Sequence, residues 1–181
     1  MKNIARNTLN YAGIVTLSRQ IGNKNIKVAE VHNTGGASLF SFLASCLSWD
    51  FSSAYANRPA KIKLLSYNKD PDGDGKDSYT PVSGFIFART SPEVISGTGE
   101  CRVRYSFTVP RDLVESIPQS SSDFGIGLYA HNAEEDDTKN FIAFCSLTTD
   151  NDTLMSNTLV NSSLLVDWEL LVTNNSTKSK E

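Results

Sequence analysis

Along most of the chain, apolar and polar residues alternate with a period of two; at one place that period changes. Tyr11 to Arg19 puts Tyr11, Gly13, Val15 and Leu17 on one face and Ile14, Thr16 and Ser18 on the other, the pattern of a half-buried strand. Ile21-Gly22-Asn23-Lys24-Asn25 is turn chemistry and Ile26 to Val31 alternates again, so the two segments predict a β-hairpin. His32-Asn33-Thr34-Gly35-Gly36 reads as a turn. Beyond it Leu39, Leu43 and Leu47 recur at helical spacing with Phe40, Phe42 and Cys46 beside them, which predicts a helix over about Ala37 to Ser48. Asn33, Thr34 and Ser38 are its candidate caps. The stretch Asp50 to Asn57 is polar with scattered aromatics, and Pro59 bars any helical continuation.

The remainder reads as strands and loops. Ala60 to Tyr67, Val82 to Thr90, Cys101 to Val109, Phe124 to His131, Phe141 to Leu147 and Leu164 to Val172 are predicted strands. Asn68 to Pro81, Ser91 to Gly99 and the acidic Asn132 to Asn140 are predicted loops, and Pro110 to Pro118 holds at most one helical turn. About eight strands and one helix, without strand–helix alternation, predict a mainly β protein: an antiparallel β-sandwich, jelly-roll-like, with one amphipathic helix packed on it. The organisation expected is an N-terminal arm over 1–10, the sandwich over 11–173 and a polar tail over 174–181.

Charge changes this picture more than composition does. The 181 residues suit one domain, and the net charge is only −3, so bulk electrostatics would not draw the chain to nucleic acid or to an anionic membrane. The charge is uneven: residues 1–63 sum to +6 and residues 64–181 to −9. Such asymmetry can orient a protein against a partner or a copy of itself. No apolar run reaches the roughly 20 residues of a membrane-spanning helix. The polar first ten residues lack the apolar core of a secretory signal, so synthesis in the cytoplasm is the expectation. Cys46, Cys101 and Cys145 form no C-x-x-C pair and read as small buried hydrophobes.

Candidate chemistry is sparse. Asp70-Pro71-Asp72-Gly73-Asp74-Gly75 resembles the opening half of a calcium loop, but the closing position falls on Pro81, or on Tyr79 if counted from Asn68. Asp70, Asp72 and Asp74 are therefore weak metal candidates, to which Asp77 could add in an irregular site, and no tight site is expected. His32 and His131, each at a predicted strand end, lack a positioned third group. No serine elbow or Cys–His pairing stands out; Glu115, Asp123 and the Glu134 to Asp137 run supply carboxylates of the kind usually found in solvated loops. Gly35-Gly36 precedes a helix without the lysine of a phosphate-binding loop. No catalytic residue and no cofactor are expected.

Several segments carry a likeness: Tyr11-Ala-Gly-Ile-Val-Thr-Leu-Ser-Arg19, Val31-His-Asn-Thr-Gly-Gly36, Leu39-Phe-Ser-Phe-Leu-Ala-Ser-Cys-Leu47, Arg58-Pro-Ala-Lys-Ile-Lys-Leu-Leu65 and, more loosely, Leu164-Leu-Val-Asp-Trp-Glu-Leu170. Together they resemble small virion proteins of tailed bacteriophages, especially the crAss-like phages of gut Bacteroides. The resemblance implies a non-enzymatic structural role as a head-fibre, capsid-decorating or tail-attached component. Its partners would be other virion proteins and further copies of the chain, with no direct nucleic-acid contact and no membrane insertion. The docking surface expected is the basic N-terminal third, with Ile4, Leu9 and Tyr11 supplying apolar contact and Arg6, Arg19, Lys24 and Lys27 supplying charge. The competing expectation is a carbohydrate-recognising sandwich, for which Trp49 is the better candidate for exposure while Trp168 reads as core.

Overall fold

The computed structural model describes residues 8–21, 23–35, 37–48, 50–68, 77–97, 100–115, 124–147 and 162–175. In chain order the elements are β1 (Thr8–Ile21), β2 (Lys24–Gly35), α1 (Ala37–Leu47), α2 (Phe51–Asn57), β3 (Pro59–Asn68), β4 (Ser78–Pro81), β5 (Ile86–Phe87), β6 (Glu93–Gly97), β7 (Glu100–Val109), α3 (Arg111–Glu115), β8 (Phe124–Ala130), β9 (Ala143–Ser146) and β10 (Leu164–Asn175). All strand pairings are antiparallel. One sheet runs β6-β7-β10-β1-β2; the other runs β4-β3-β8-β9, with β5 also pairing β3.

The two sheets form a β-sandwich joined at both sides. Thr34 and Gly35 of β2 pair with Phe144 and Ala143 of β9. On the other side Ala88 bridges to Phe107, and the Arg89 N–H donates to the Ser106 carbonyl at 2.8 Å. The segment His32 to Gly35, expected as a turn, is instead the end of β2 that carries the chain from one sheet to the other.

The period-two pattern decides what faces inward. Val15 and Leu17, then Tyr105, Phe107 and Val109, then Leu164, Val166, Trp168 and Leu170 come from the first sheet. Ile62, Leu64, Phe124, Ile126, Leu128, Ala143 and Cys145 meet them from the second. Trp168, fully buried, lies opposite both Val15 and Tyr105 in the ladder. Burying each large apolar side chain contributes about 1.5–3 kcal/mol. The alternate residues of β7 face outward, where Arg104 meets Glu169 at 2.6 Å and Glu93 at 3.3 Å.

Helix α1 occupies the predicted span and closes onto the core through buried Leu39, with Leu43 half-buried beside it. Its candidate caps act otherwise. Ser38 donates its hydroxyl to the Asn140 carbonyl at 2.9 Å, and Asn33 lies over Gly13, where a β-carbon would sit 1.6 Å from Asn33 Oδ1. Two further helices accompany it. The N-terminus of α2 is capped by Asp50, whose carboxylate accepts from the Ser53 N–H at 3.0 Å. Arg58 ends it in an extended conformation, as a residue before proline must. Because α2 buries no residue, it has no apolar stripe by which the sequence could announce it.

Strand β1 begins at Thr8 and β10 runs to Asn175, so the sheet reaches into the segments expected as arm and tail. The β4 and β6 strands fall in predicted loops; each is short and mostly exposed, so neither shows a strong alternation. Between β4 and β5 the chain leaves the ladder, and Ser83 replaces it: its hydroxyl accepts from the Leu64 N–H at 3.1 Å and donates to the Gly84 carbonyl at 2.8 Å.

In β8 the inward residues are large and the outward ones include Gly125 and Gly127. The space is filled: a β-carbon on Gly125 would fall 2.4 Å from Phe144 Cζ and 2.7 Å from the Cys145 carbonyl oxygen. Gly125→Ala is expected to cost about 1–3 kcal/mol by overpacking. Gly84→Ala, whose nearest neighbour is the flexible tip of Glu135 at 3.1 Å, should cost less in the same urea titration.

Candidate functional site

The outer face of the second sheet carries the densest arrangement of charged and aromatic groups. Lys61, Lys63, Leu65 and Tyr67 alternate along β3 with the core residues Ile62 and Leu64, so all four point away from the core, yet all four are buried. Leu65, Tyr67, Tyr129 and Phe144 form a second apolar cluster with Tyr79, Phe85, Ala133 and Phe141. The rings meet mostly edge to face: Tyr67–Phe144 at 5.3 Å, Phe85–Tyr129 at 5.2 Å and Tyr79–Phe141 at 5.4 Å.

The acidic loop after β8 lies against this layer, held by the two lysines. Lys63, fully buried, donates from Nζ to the carbonyls of Glu135 at 2.6 Å and Asp137 at 3.0 Å. Lys61 donates to the Ala133 carbonyl at 2.6 Å. Both ammonium groups stand over the Phe85 ring, at 3.9 and 4.0 Å from its centroid. Burial lowers the pKa of Lys61, and neighbouring Lys63 adds to that, while Glu135 and Asp137 oppose it. A lysine so enclosed is not presented to a substrate; it serves as a brace.

The loop's own groups complete the fold-over. Asp137 Oδ1 accepts from the backbone N–H groups of Lys139 and Asn140 at 3.2 and 3.0 Å, and Glu135 Oε1 accepts from the Phe85 N–H at 3.4 Å. Between the loop and α1 opens a cavity of about 550 Å³, whose lining includes Ser38, Asn57 and Asn132 and, of charged residues, Glu134, Asp136, Asp137 and Lys139. This is a polar, negatively charged cleft. Among the described residues no group of three or more His, Cys, Asp or Glu side chains is arranged to hold a metal ion.

The expected partner-binding residues separate. Ile4 and Arg6 lie outside the described residues, as do Asp70, Asp72, Asp74 and Trp49. Leu9 and Tyr11 belong to β1 and pair in the ladder with Asn174 and Val172. Arg19 is half-buried and donates from Nε to Ser162 Oγ at 3.1 Å. Lys24 and Lys27 are exposed on the β1–β2 hairpin, where Lys27 meets Glu30 at 2.5 Å. Exposed Ile26 sits with them, an apolar contact the alternation pattern had assigned only to a strand face. His32 is exposed on β2 of the first sheet and His131 follows β8 of the second. Glu115 pairs with Arg111 within α3 at 2.6 Å. Trp168 is core, as expected. Of the cysteines, Cys145 alone is buried; Cys46 faces outward on α1 and Cys101 pairs with Ser96 of exposed β6. Neither a protein-family model, nor a curated protein, nor a solved structure matches the chain.

Removal of the brace should be felt throughout this layer. Lys63→Ala is expected to lower the unfolding free energy by about 2–4 kcal/mol, through a cavity and two stranded carbonyls. Lys63→Met, which keeps the stem, should lose less in the same denaturant titration. A pH effect follows from Cys145, whose thiol burial pushes up from the usual 9.0 to about 12. Below 9.0 the folded and unfolded chains both hold this proton; above it only the folded chain does, so stability falls as pH rises. The slope attributable to it approaches about 1.4 kcal/mol per pH unit, and should be absent from Cys145→Ala measured alongside.

Proposed function

We propose that the chain is a non-enzymatic structural component of a tailed-phage virion, a head-fibre, capsid-accessory or tail-attached subunit that acts through protein–protein assembly. The likeness of its segments to small virion proteins suggests the setting. The observation that carries the assembly reading is the terminal strand β6. It pairs with β7 along one side and ends its sheet, and no described strand covers its other side. Its successive residues Val94 and Ile95 point to opposite faces and are both exposed, Val94 at 62%. An open edge bearing β-branched side chains is a template for a strand from a neighbour.

Charge supports the same reading. The hairpin presents Lys24 and Lys27 with exposed Ile26, and the loop after β8 presents Glu134 and Asp136, so copies of the chain and other virion proteins meet faces of opposite sign. Ile4, Arg6, Leu9 and Tyr11 are proposed as a second contact, separate from the hairpin, since β1 places Leu9 and Tyr11 at its other end. The protein is made in the host cytoplasm and resides in the virion, without inserting in a membrane or holding nucleic acid directly.

The test is incorporation into particles. Ile95→Lys in the full chain should leave the melting temperature within a degree or so, as exposed substitutions do, and reduce incorporation by about tenfold or more. Removal of residues 1–7, which leaves β1 whole, should act in the same direction. Wild-type incorporation of both variants would overturn the proposal.

A further inference from the structure

A second cavity, of about 330 Å³, lies between the end of α2, the start of β3 and the connection from β5 to β6. We propose that it binds a saccharide bearing a carboxylate. The inference goes beyond the assembly reading and does not depend on it.

Exposed aromatic groups flank this groove. Phe87, on its wall, is 61% exposed, and Tyr55, beside it on α2, is 62% exposed. Phe51 stands one helical turn before Tyr55 on the same side of α2 and is also exposed. Large aromatic rings left in solvent on regular elements are the platforms on which the C–H face of a sugar ring stacks. Phe87 is fixed in place by the β3 ladder, where it pairs with Lys61.

The groove carries one fixed cation. Arg58 lines it together with His131, and among the described residues no carboxylate does. The Arg58 guanidinium lies 3.5 Å from the centroid of the Tyr55 ring and donates from one terminal nitrogen to the Tyr55 carbonyl at 2.5 Å. Among the described residues it has no acidic partner, so its other N–H groups are available to a ligand carboxylate, which the guanidinium fork matches in shape as well as charge. The His131 ring meets Tyr55 edge-on at 5.6 Å, which orients a second nitrogen donor or acceptor beside the first. Thr90 and Ser91, exposed on the opposite lip, supply hydroxyl groups for a sugar's own hydroxyls.

The backbone argues for a sugar over an acidic peptide. Three amides at the groove are already committed: Ala88 N–H to the Ala60 carbonyl at 3.1 Å, Arg89 N–H to the Ser106 carbonyl at 2.8 Å and His131 N–H to the Arg58 carbonyl at 2.9 Å. A peptide adding itself as a strand would find no partner in these amides. A ligand recognised by ring faces, hydroxyls and one carboxylate needs none.

The full-length protein is titrated calorimetrically with a galacturonate trisaccharide, sialyllactose, the neutral galactose trisaccharide and a hexaglutamate peptide. At least one carboxylated saccharide should bind, about tenfold or more tighter than the neutral one. Phe87→Ala should weaken that binding by about tenfold, and Arg58→Gln should abolish the preference for the charged sugar. Circular dichroism of both variants should match the wild type, since Phe87 is exposed and Arg58 only half-buried. No binding of either carboxylated saccharide, binding that survives both substitutions, or equal or tighter binding of the peptide would overturn the proposal.

Discussion

Two ammonium groups buried on the outer face of a β-sheet set the terms for one half of this molecule. Lys61 and Lys63 sit on β3 where solvent would ordinarily be, and among the described residues neither meets a carboxylate oxygen in a direct ion pair; their charge is met by loop carbonyls and by the face of Phe85. An ammonium without such partners would be strongly unfavourable in this setting. The acidic loop therefore cannot leave without exposing the aromatic layer and stranding the two charges. The same loop reaches α1 through the Ser38–Asn140 hydrogen bond and forms one wall of the acidic cleft. Sheet, loop, helix and cleft are in this sense one unit.

The other half is organised by closure. Strand β2 crosses from one sheet to the other at Thr34 and Gly35, and the Ala88–Phe107 bridge closes the opposite side. These junctions satisfy backbone groups that open sheets would present to solvent, and they leave β4 and β6 as terminal strands. Of these, β4 carries Pro81, a residue that blunts an edge, whereas β6 carries exposed Val94 and Ile95. Chemistry on the surface is divided accordingly: an apolar edge at β6, a basic hairpin at Lys24 and Lys27, an acidic cleft beside α1, and an aromatic groove with Arg58 and His131. Such a surface is suited to contact with other molecules.

Much of the sandwich was legible because burial on one face writes itself as alternation. Tyr105-Ser-Phe-Thr-Val109 and Leu164 to Leu170 are clear examples, and the change of period at Leu39 located α1. What was illegible had a physical reason in each case. Helix α2 depends on the Asp50 cap rather than on an apolar stripe. The end of β2 looks like a turn because glycine and asparagine there serve a close approach between strands, as Gly13 beneath Asn33 shows. The depth of Lys61 and Lys63 depends on a loop some seventy residues away. A signal for it existed nonetheless: Leu65 and Tyr67 share their face, and the glycines of β8 leave space that only bulky neighbours fill. The aromatic groove drew residues from α2, β5 and the end of β8, so Phe87, Tyr55 and Arg58 could not be associated by spacing alone.

The braced loop is the feature on which this account stands, and native-state hydrogen exchange tests it most directly. The amides of Asp137 and Asn140 are hydrogen-bonded within the folded-over segment, that of Asn132 is bonded to the Ala56 carbonyl of α2 and that of Ile142 to the Leu128 carbonyl of β8, and those of β8 lie in the sheet beneath it. If the lysines hold the loop as part of the sheet, its amides and those of β8 open together, with the same dependence on denaturant. Exchange of the loop amides at nearly unprotected rates, while β8 stays closed, would contradict it.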